Sequence, residues 1–124
     1  MYISRSSLAY SPFEFVDGIR GKDNITNGCK WIVLDIDNSN ITAEEAHFTL
    51  SHINHHIALT SDAQNEFKFR VLIELDASVD IPNIQWKSFI NSVSSTLALE
   101  ADSLGKAQIF FSYADRPVLS VIDA

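Results

Sequence analysis

Residues 31–37 read Trp31-Ile32-Val33-Leu34-Asp35-Ile36-Asp37, an apolar run of strand length stopped by Asn38-Ser39-Asn40. Apolar side chains on both parities predict a central strand covered on both faces. Immediately downstream, Thr42 stands three residues before Glu45, the spacing of a capping box at a helix start. Ala46, Leu50, Ile53 and Ile57 then recur at intervals of four, three and four. That stripe predicts a helix over about residues 43–55, followed by a brief strand over about 56–60. Farther on, Phe67, Phe69, Val71, Ile73 and Leu75 alternate with Lys68, Arg70, Leu72 and Glu74, the period of a half-covered strand. Asp80 and Pro82 punctuate the chain, and proline is favourable near a helix start. Trp86, Ile90, Val93 and Leu97 predict a second helix over about 84–99. Gln108 to Tyr113 reads as a strand, with Pro117 and Val118–Ile122 as an edge extension.

The order strand, helix, strand, strand, helix, strand is that of an α+β fold with an RRM/ferredoxin-like βαββαβ core. Both helices should cover one face of an antiparallel sheet and leave the other face open. Residues 1–29, with Pro12, Gly18, Gly21 and Gly28, read as a loop-rich amino-terminal segment carrying one short element around Phe13–Ile19. Residues 30–124 form the core of what is expected to be a single domain, since 124 residues support one hydrophobic core.

Composition narrows the function classes. The chain holds 9 Lys+Arg against 16 Asp+Glu, a net charge of −7, with 46% hydrophobic residues including 8 Phe, 3 Tyr and 2 Trp. That apolar content suits a folded domain and excludes disorder. No apolar run reaches the roughly 18–20 residues of a membrane span, so no membrane partner is expected. The opening MYISRSSLAYSPF lacks the apolar segment of a secretory signal, which leads to the expectation of a cytoplasmic protein. A single cysteine, Cys29, excludes an internal disulfide framework and a multi-cysteine zinc site. The acidity argues against sequence-independent duplex binding, which needs a basic face.

Strand parity makes the first strand chemically informative. With Ile32, Leu34 and Ile36 toward the helices, Trp31, Val33, Asp35 and Asp37 point to the open face. Two carboxylates two residues apart at a strand end repel one another and lose solvent, and a divalent cation compensates both costs. Carboxylate oxygens are the usual ligands of Mg²⁺ or Mn²⁺. Lys68 and Arg70 fall on the same open face by the same rule, where they could meet phosphate charge.

WIVLDID at 31–37, TSDAQNEFKFRVLIEL at 60–75 and LEADSLGKAQIFFSY at 99–113 together resemble the archaeo-eukaryotic primase superfamily, especially compact primase-polymerase domains of phages and plasmids. The resemblance covers about residues 30–116. It maps the family's first motif onto Asp35 and Asp37 and its third onto Asp102. Asp62 stands where the second motif carries a histidine, and His56 is in a different register. The resemblance implies a small primase-polymerase-like nucleotidyltransferase of a phage or mobile element, working by two-metal nucleotide transfer in DNA replication. Asp35, Asp37 and Asp102 would then be the catalytic, metal-holding residues for Mg²⁺ or Mn²⁺, with Ser61, Lys68 and Arg70 on the nucleotide. The implied partners are nucleoside triphosphates, a single-stranded nucleic acid template and a helicase or other replication protein. A partly apolar open sheet face also makes the chain a candidate for self-association as a homo-oligomer. The alternatives are a catalytically degenerate protein of the same fold that binds nucleic acid or a replication protein, and an unrelated ferredoxin-like interaction domain.

Other constellations are weaker. His47, His52, His55 and His56 crowd the expected first helix, with His52 and His56 on one helical face, and read as rim residues rather than metal ligands. No His-x-His pair is present, which disfavours the rolling-circle nickases of similar fold. Cys29 reads as an incidental thiol at a strand start. Phe110, Phe111 and Tyr113 could stack bases, but alternation divides them between two faces. Trp86 at helical spacing reads as core, and Asp115-Arg116-Pro117 as a turn.

Overall fold

The computed structural model describes residues 2–3, 9–11, 29–60, 65–102, 110–111 and 118–122. Ser61, Asp62, Tyr113, the turn at 115–117 and the element expected around Phe13–Ile19 lie outside the described residues. The described elements are β1 (Tyr2–Ile3), β2 (Ala9–Ser11), β3 (Cys29–Ile36), α1 (Ala43–Thr49), β4 (His55–Leu59), β5 (Phe69–Val79), α2 (Asn83–Thr96), β6 (Phe110–Phe111) and β7 (Val118–Val121).

The main sheet has four strands in the order β3-β5-β4-β7, with every neighbouring pair antiparallel, so among the described residues β3 is an edge strand and not the central strand that its apolar run predicts; Val33 is buried on its second face without a further strand beside it. β5 lies between β3 and β4, the two strands joined through α1, which is the split βαβ arrangement. Parity follows the sequence reading. Ile32, Leu34 and Ile36 of β3 join Phe69, Val71 and Ile73 of β5 in a core completed by Ile57 and Leu59 of β4. Ala43, Ala46 and Leu50 from the α1 region, and Trp86 and Ile90 of α2, pack on that same cluster. Both helices therefore cover one face of the sheet. Each fully buried aliphatic or aromatic side chain contributes roughly 1.5–3 kcal/mol of transfer free energy.

Three further expectations are corrected. First, α1 ends at Thr49, not near residue 55. Its start is as predicted: the Thr42 hydroxyl accepts from the Glu45 N–H, and the Glu45 carboxylate accepts from the Thr42 N–H. The stripe beyond it joined three kinds of structure. Leu50 is the helix cap, Ile53 sits in a turn whose N–H donates to the Leu50 carbonyl, and Ile57 arrives on β4. All three touch one core, so spacing alone could not separate them. Second, the strand that completes the main sheet is β7, with Ile57 paired to Leu119. Phe110 and Phe111 pair instead with Tyr10 and Ala9, in a separate three-stranded antiparallel sheet of order β1-β2-β6. Third, Phe67 precedes β5 in a turn and is 46% exposed, so the inward alternation begins at Phe69.

The shorter α1 also disperses the histidines. His47 is on α1, His52 lies in the following turn, and His55 and His56 are on β4. His55 shares parity with Ile57 and is buried. Its Nδ1–H donates to the Ile53 carbonyl at 2.7 Å, which leaves Nε2 to accept from His47 Nδ1–H at 2.9 Å. Burial holds His55 below the usual imidazole range. Among the described residues no helix is long and apolar enough to cross a membrane.

Candidate metal centre

The register of β3 on β5 sets Asp35 directly opposite Arg70. Their side chains meet on the face away from the helices, with Arg70 Nε donating to Asp35 Oδ1 at 3.2 Å. Both are largely shielded, at 18% and 10% side-chain exposure, so each needs the other's charge. One step along, Asp37 follows the end of β3 and Lys68 precedes the start of β5, and Lys68 Nζ lies 3.9 Å from Asp37 Oδ1. This outer pair is well solvated and is weak by itself. Two carboxylates and two cations thus share one corner of the sheet, as period-2 parity requires.

The third carboxylate comes from the end of α2. Leu97 caps the helix and Ala98 takes a left-handed conformation, with φ of 57°. Ala98 N–H donates to the Ser95 carbonyl and Leu99 N–H to the Ser94 carbonyl, the paired bonds of a Schellman motif. The reversal drives Leu99 into the core. Buried Ser94 then fixes the outgoing chain: its hydroxyl donates to the Leu99 carbonyl and accepts from the Ala101 N–H at 3.0 Å. Asp102 N–H reaches the carbonyl oxygen of Asp35 at 2.8 Å. Asp35, Asp37 and Asp102 can each place one carboxylate oxygen within 4.8 Å of the others'.

The electrostatics of the three differ. Burial pushes Asp35 above the ordinary carboxylate value, against the pull of Arg70. Asp102 is pushed up to about 6, first by desolvation, then by a hydrogen bond with Asp37, then by the charges of Asp37 and Asp35. A proton on Asp102, hydrogen-bonded to Asp37, relieves the crowding near that pH. Three hard oxygen donors that crowd together, one holding its proton through desolvation and the nearby carboxylates, suit a divalent cation such as Mg²⁺ or Mn²⁺.

Of the residues singled out from the sequence, Asp35, Asp37, Asp102, Lys68 and Arg70 come together, while Ser61 lies outside the described residues. The same sheet face also carries Trp31 and His56, with ring centroids 6.0 Å apart, and His56 Nδ1 is 2.7 Å from Ser120 Oγ. That face is not bare, because Val33 and Arg70 are both buried. Ser94 and Ala98, which place Asp102, carry no local signal: a serine within a helix and an alanine after it read as neutral positions. The chain matches no family model, no curated protein and no solved structure.

Proposed function

We propose that the chain is a small primase-polymerase-like nucleotidyltransferase of a phage or other mobile element, acting in DNA replication in the cytoplasm of a bacterial or phage-infected cell. The observation that carries the reading is the convergence of Asp35, Asp37 and Asp102 beside Lys68 and Arg70 on one corner of the sheet. The carboxylates would hold Mg²⁺ or Mn²⁺. When bound, a pair of such ions lowers the pKa of an attacking 3′-hydroxyl and neutralises the leaving pyrophosphate. The chain's own contribution is placement. Asp35 is braced by Arg70 and by the Asp102 N–H. Asp102 surrenders its proton to make room for a cation. Lys68, partly exposed at the rim, is assigned to the triphosphate of an incoming nucleoside triphosphate. Ser61 is assigned to a phosphate hydrogen bond by its place in the sequence, and the template is single-stranded nucleic acid. A net charge of −7 leaves template holding to a helicase or other replication protein.

The test is ligand linkage. Mn²⁺ with a nucleoside triphosphate should raise the melting temperature of the wild type, as any ligand of the native state must. Asp35→Asn combined with Asp37→Asn should abolish the rise, whereas an equal rise in both proteins rejects the site.

A second reading has one observation in its favour: Arg70 already neutralises Asp35. It describes a catalytically silent protein of this fold that binds nucleic acid or a replication protein. Retained single-strand binding with no metal-dependent shift would select it.

A further inference from the structure

We infer that the open sheet face around Trp31 and Glu74 binds an unpaired guanine of single-stranded nucleic acid, with Trp31 stacking on the base and Glu74 accepting from its Watson–Crick edge. As a contact to the template, this site rests on the nucleotidyltransferase reading. Register sets Glu74 directly opposite Trp31. The Glu74 N–H donates to the Asn54 carbonyl, away from β3. Trp31 and Glu74 therefore form a non-hydrogen-bonded pair, the kind whose side chains stand closest. The Trp31 and His56 rings lie 6.0 Å apart with 32° between their planes, so the indole reaches across β5 toward β4. Ser120 Oγ, 2.7 Å from His56 Nδ1, holds that imidazole from β7. Glu74 and Ser120 are exposed, and Trp31, His56 and Leu72 are partly so, which leaves this platform open to a ligand. Trp31 stands about 13 Å from Asp35 along the same face of β3.

Aromatic rings on an open sheet take the bases of single strands with little regard to sequence. The carboxylate supplies the choice, because it offers acceptors only. Guanine alone among the bases sets two donors side by side on its Watson–Crick edge, N1–H and N2–H, which one carboxylate accepts together. Adenine and cytosine place a lone pair beside their amino group, and thymine flanks N3–H with two carbonyl oxygens. Each of those would turn an acceptor toward Glu74. The edge is free only in an unpaired base, which excludes duplex. Toward the metal centre the same face carries Lys68, partly exposed beside Asp37, as a cation for the phosphates of the strand. A net charge of −7 gives phosphates little attraction elsewhere, so the base contacts carry the binding.

The experiment titrates the full chain, in EDTA, with short oligothymidylates carrying one central guanine, adenine or cytosine, followed by tryptophan fluorescence and calorimetry. The guanine strand should bind about tenfold more tightly than the other two. It should quench Trp31 over the unchanged background of buried Trp86. Glu74→Thr, a replacement suited to an exposed strand position, should bring the three strands to within about twofold of one another. Trp31→Phe keeps a stacking ring and should keep the guanine preference at weaker affinity, whereas Trp31→Ala should abolish binding of every strand. With no metal present, loss of the metal centre would leave these titrations unchanged, so the two readings fail separately. Equal affinity for the three strands, binding of none, a preference that survives in Glu74→Thr, or guanosine monophosphate binding as tightly as the guanine strand overturns the inference. Trp31→Phe and Glu74→Thr decide if Trp31→Ala does not fold.

Discussion

The backbone N–H of Asp102 donates to the carbonyl oxygen of Asp35 at 2.8 Å, so the third carboxylate is fastened to the residue that bears the first. The site is therefore assembled by main-chain geometry as much as by side chains. Its integrity depends on groups that hold no ligand themselves.

Ser94 is the first of these. Ser94→Ala strips the Leu99 carbonyl and the Ala101 N–H of their hydroxyl partner. The expected cost is about 2 kcal/mol of stability, from two buried polar groups losing a shared bond. All three carboxylates remain, yet Mn²⁺ affinity should fall several-fold because Asp102 is no longer held in register. Chemical denaturation and Mn²⁺ titration read the two effects separately. An unchanged Mn²⁺ affinity would remove Ser94 from the positioning role.

Ala98 is the second. Its φ of 57° places a Cβ where glycine is preferred. Ala98→Gly should stabilise the protein by about 1 kcal/mol and raise the melting temperature by roughly 3–5 °C. The gain should come without loss of Mn²⁺ affinity, since the Schellman bonds persist.

The Asp35–Arg70 pair separates charge from shape. Asp35→Asn keeps an oxygen for Arg70 and should leave the fold intact. Asp35→Leu removes the oxygen that accepts from Arg70 Nε and should cost about 2 kcal/mol. Both should lose metal binding. Equal stability of the two variants would show that Arg70 does not need an oxygen acceptor at position 35.

Two groups give stability opposing dependences on pH. Burial lowers the pKa of His55 in the native state, so the unfolded chain binds the extra proton more readily. Its contribution is present above the unfolded imidazole pKa and is lost as pH falls below it. Asp102 behaves oppositely. Its native pKa of about 6 lies above the unfolded value of 3.8, so it favours the native state as pH falls through that window. Asp102→Asn should therefore steepen the loss of stability between about pH 6.5 and 4. Denaturation curves across that range decide it, and a shallower slope in the variant would contradict the assignment. The Asp102 proton also competes with metal, so Mn²⁺ affinity should weaken as pH drops through about 6.

The parts of this arrangement that were legible in the sequence are those governed by local period. Alternation in β3 and β5 sorted Asp35, Asp37, Lys68 and Arg70 onto one face, and the Thr42–Glu45 spacing located the start of α1. The unread parts depend on contacts distant in sequence. Leu50, Ile53 and Ile57 reach the same core from a helix cap, a turn and a strand, which mimics one helical stripe. Val118–Val121 and Phe110–Phe111 are both apolar, and only pairing with β4 and with β2 assigns each to its sheet. Asp102 could be singled out by resemblance, but its meeting with Asp35 depends on a left-handed alanine that no local pattern predicts.

The most direct measurement is template-directed incorporation of nucleoside triphosphates on a single-stranded template with Mn²⁺, comparing the wild type with Asp35→Asn. Metal-dependent incorporation by the wild type and none by a folded Asp35→Asn variant is the predicted result. Incorporation that survives in the variant, or a wild type that incorporates nothing while binding the metal, would contradict nucleotidyl transfer at this site.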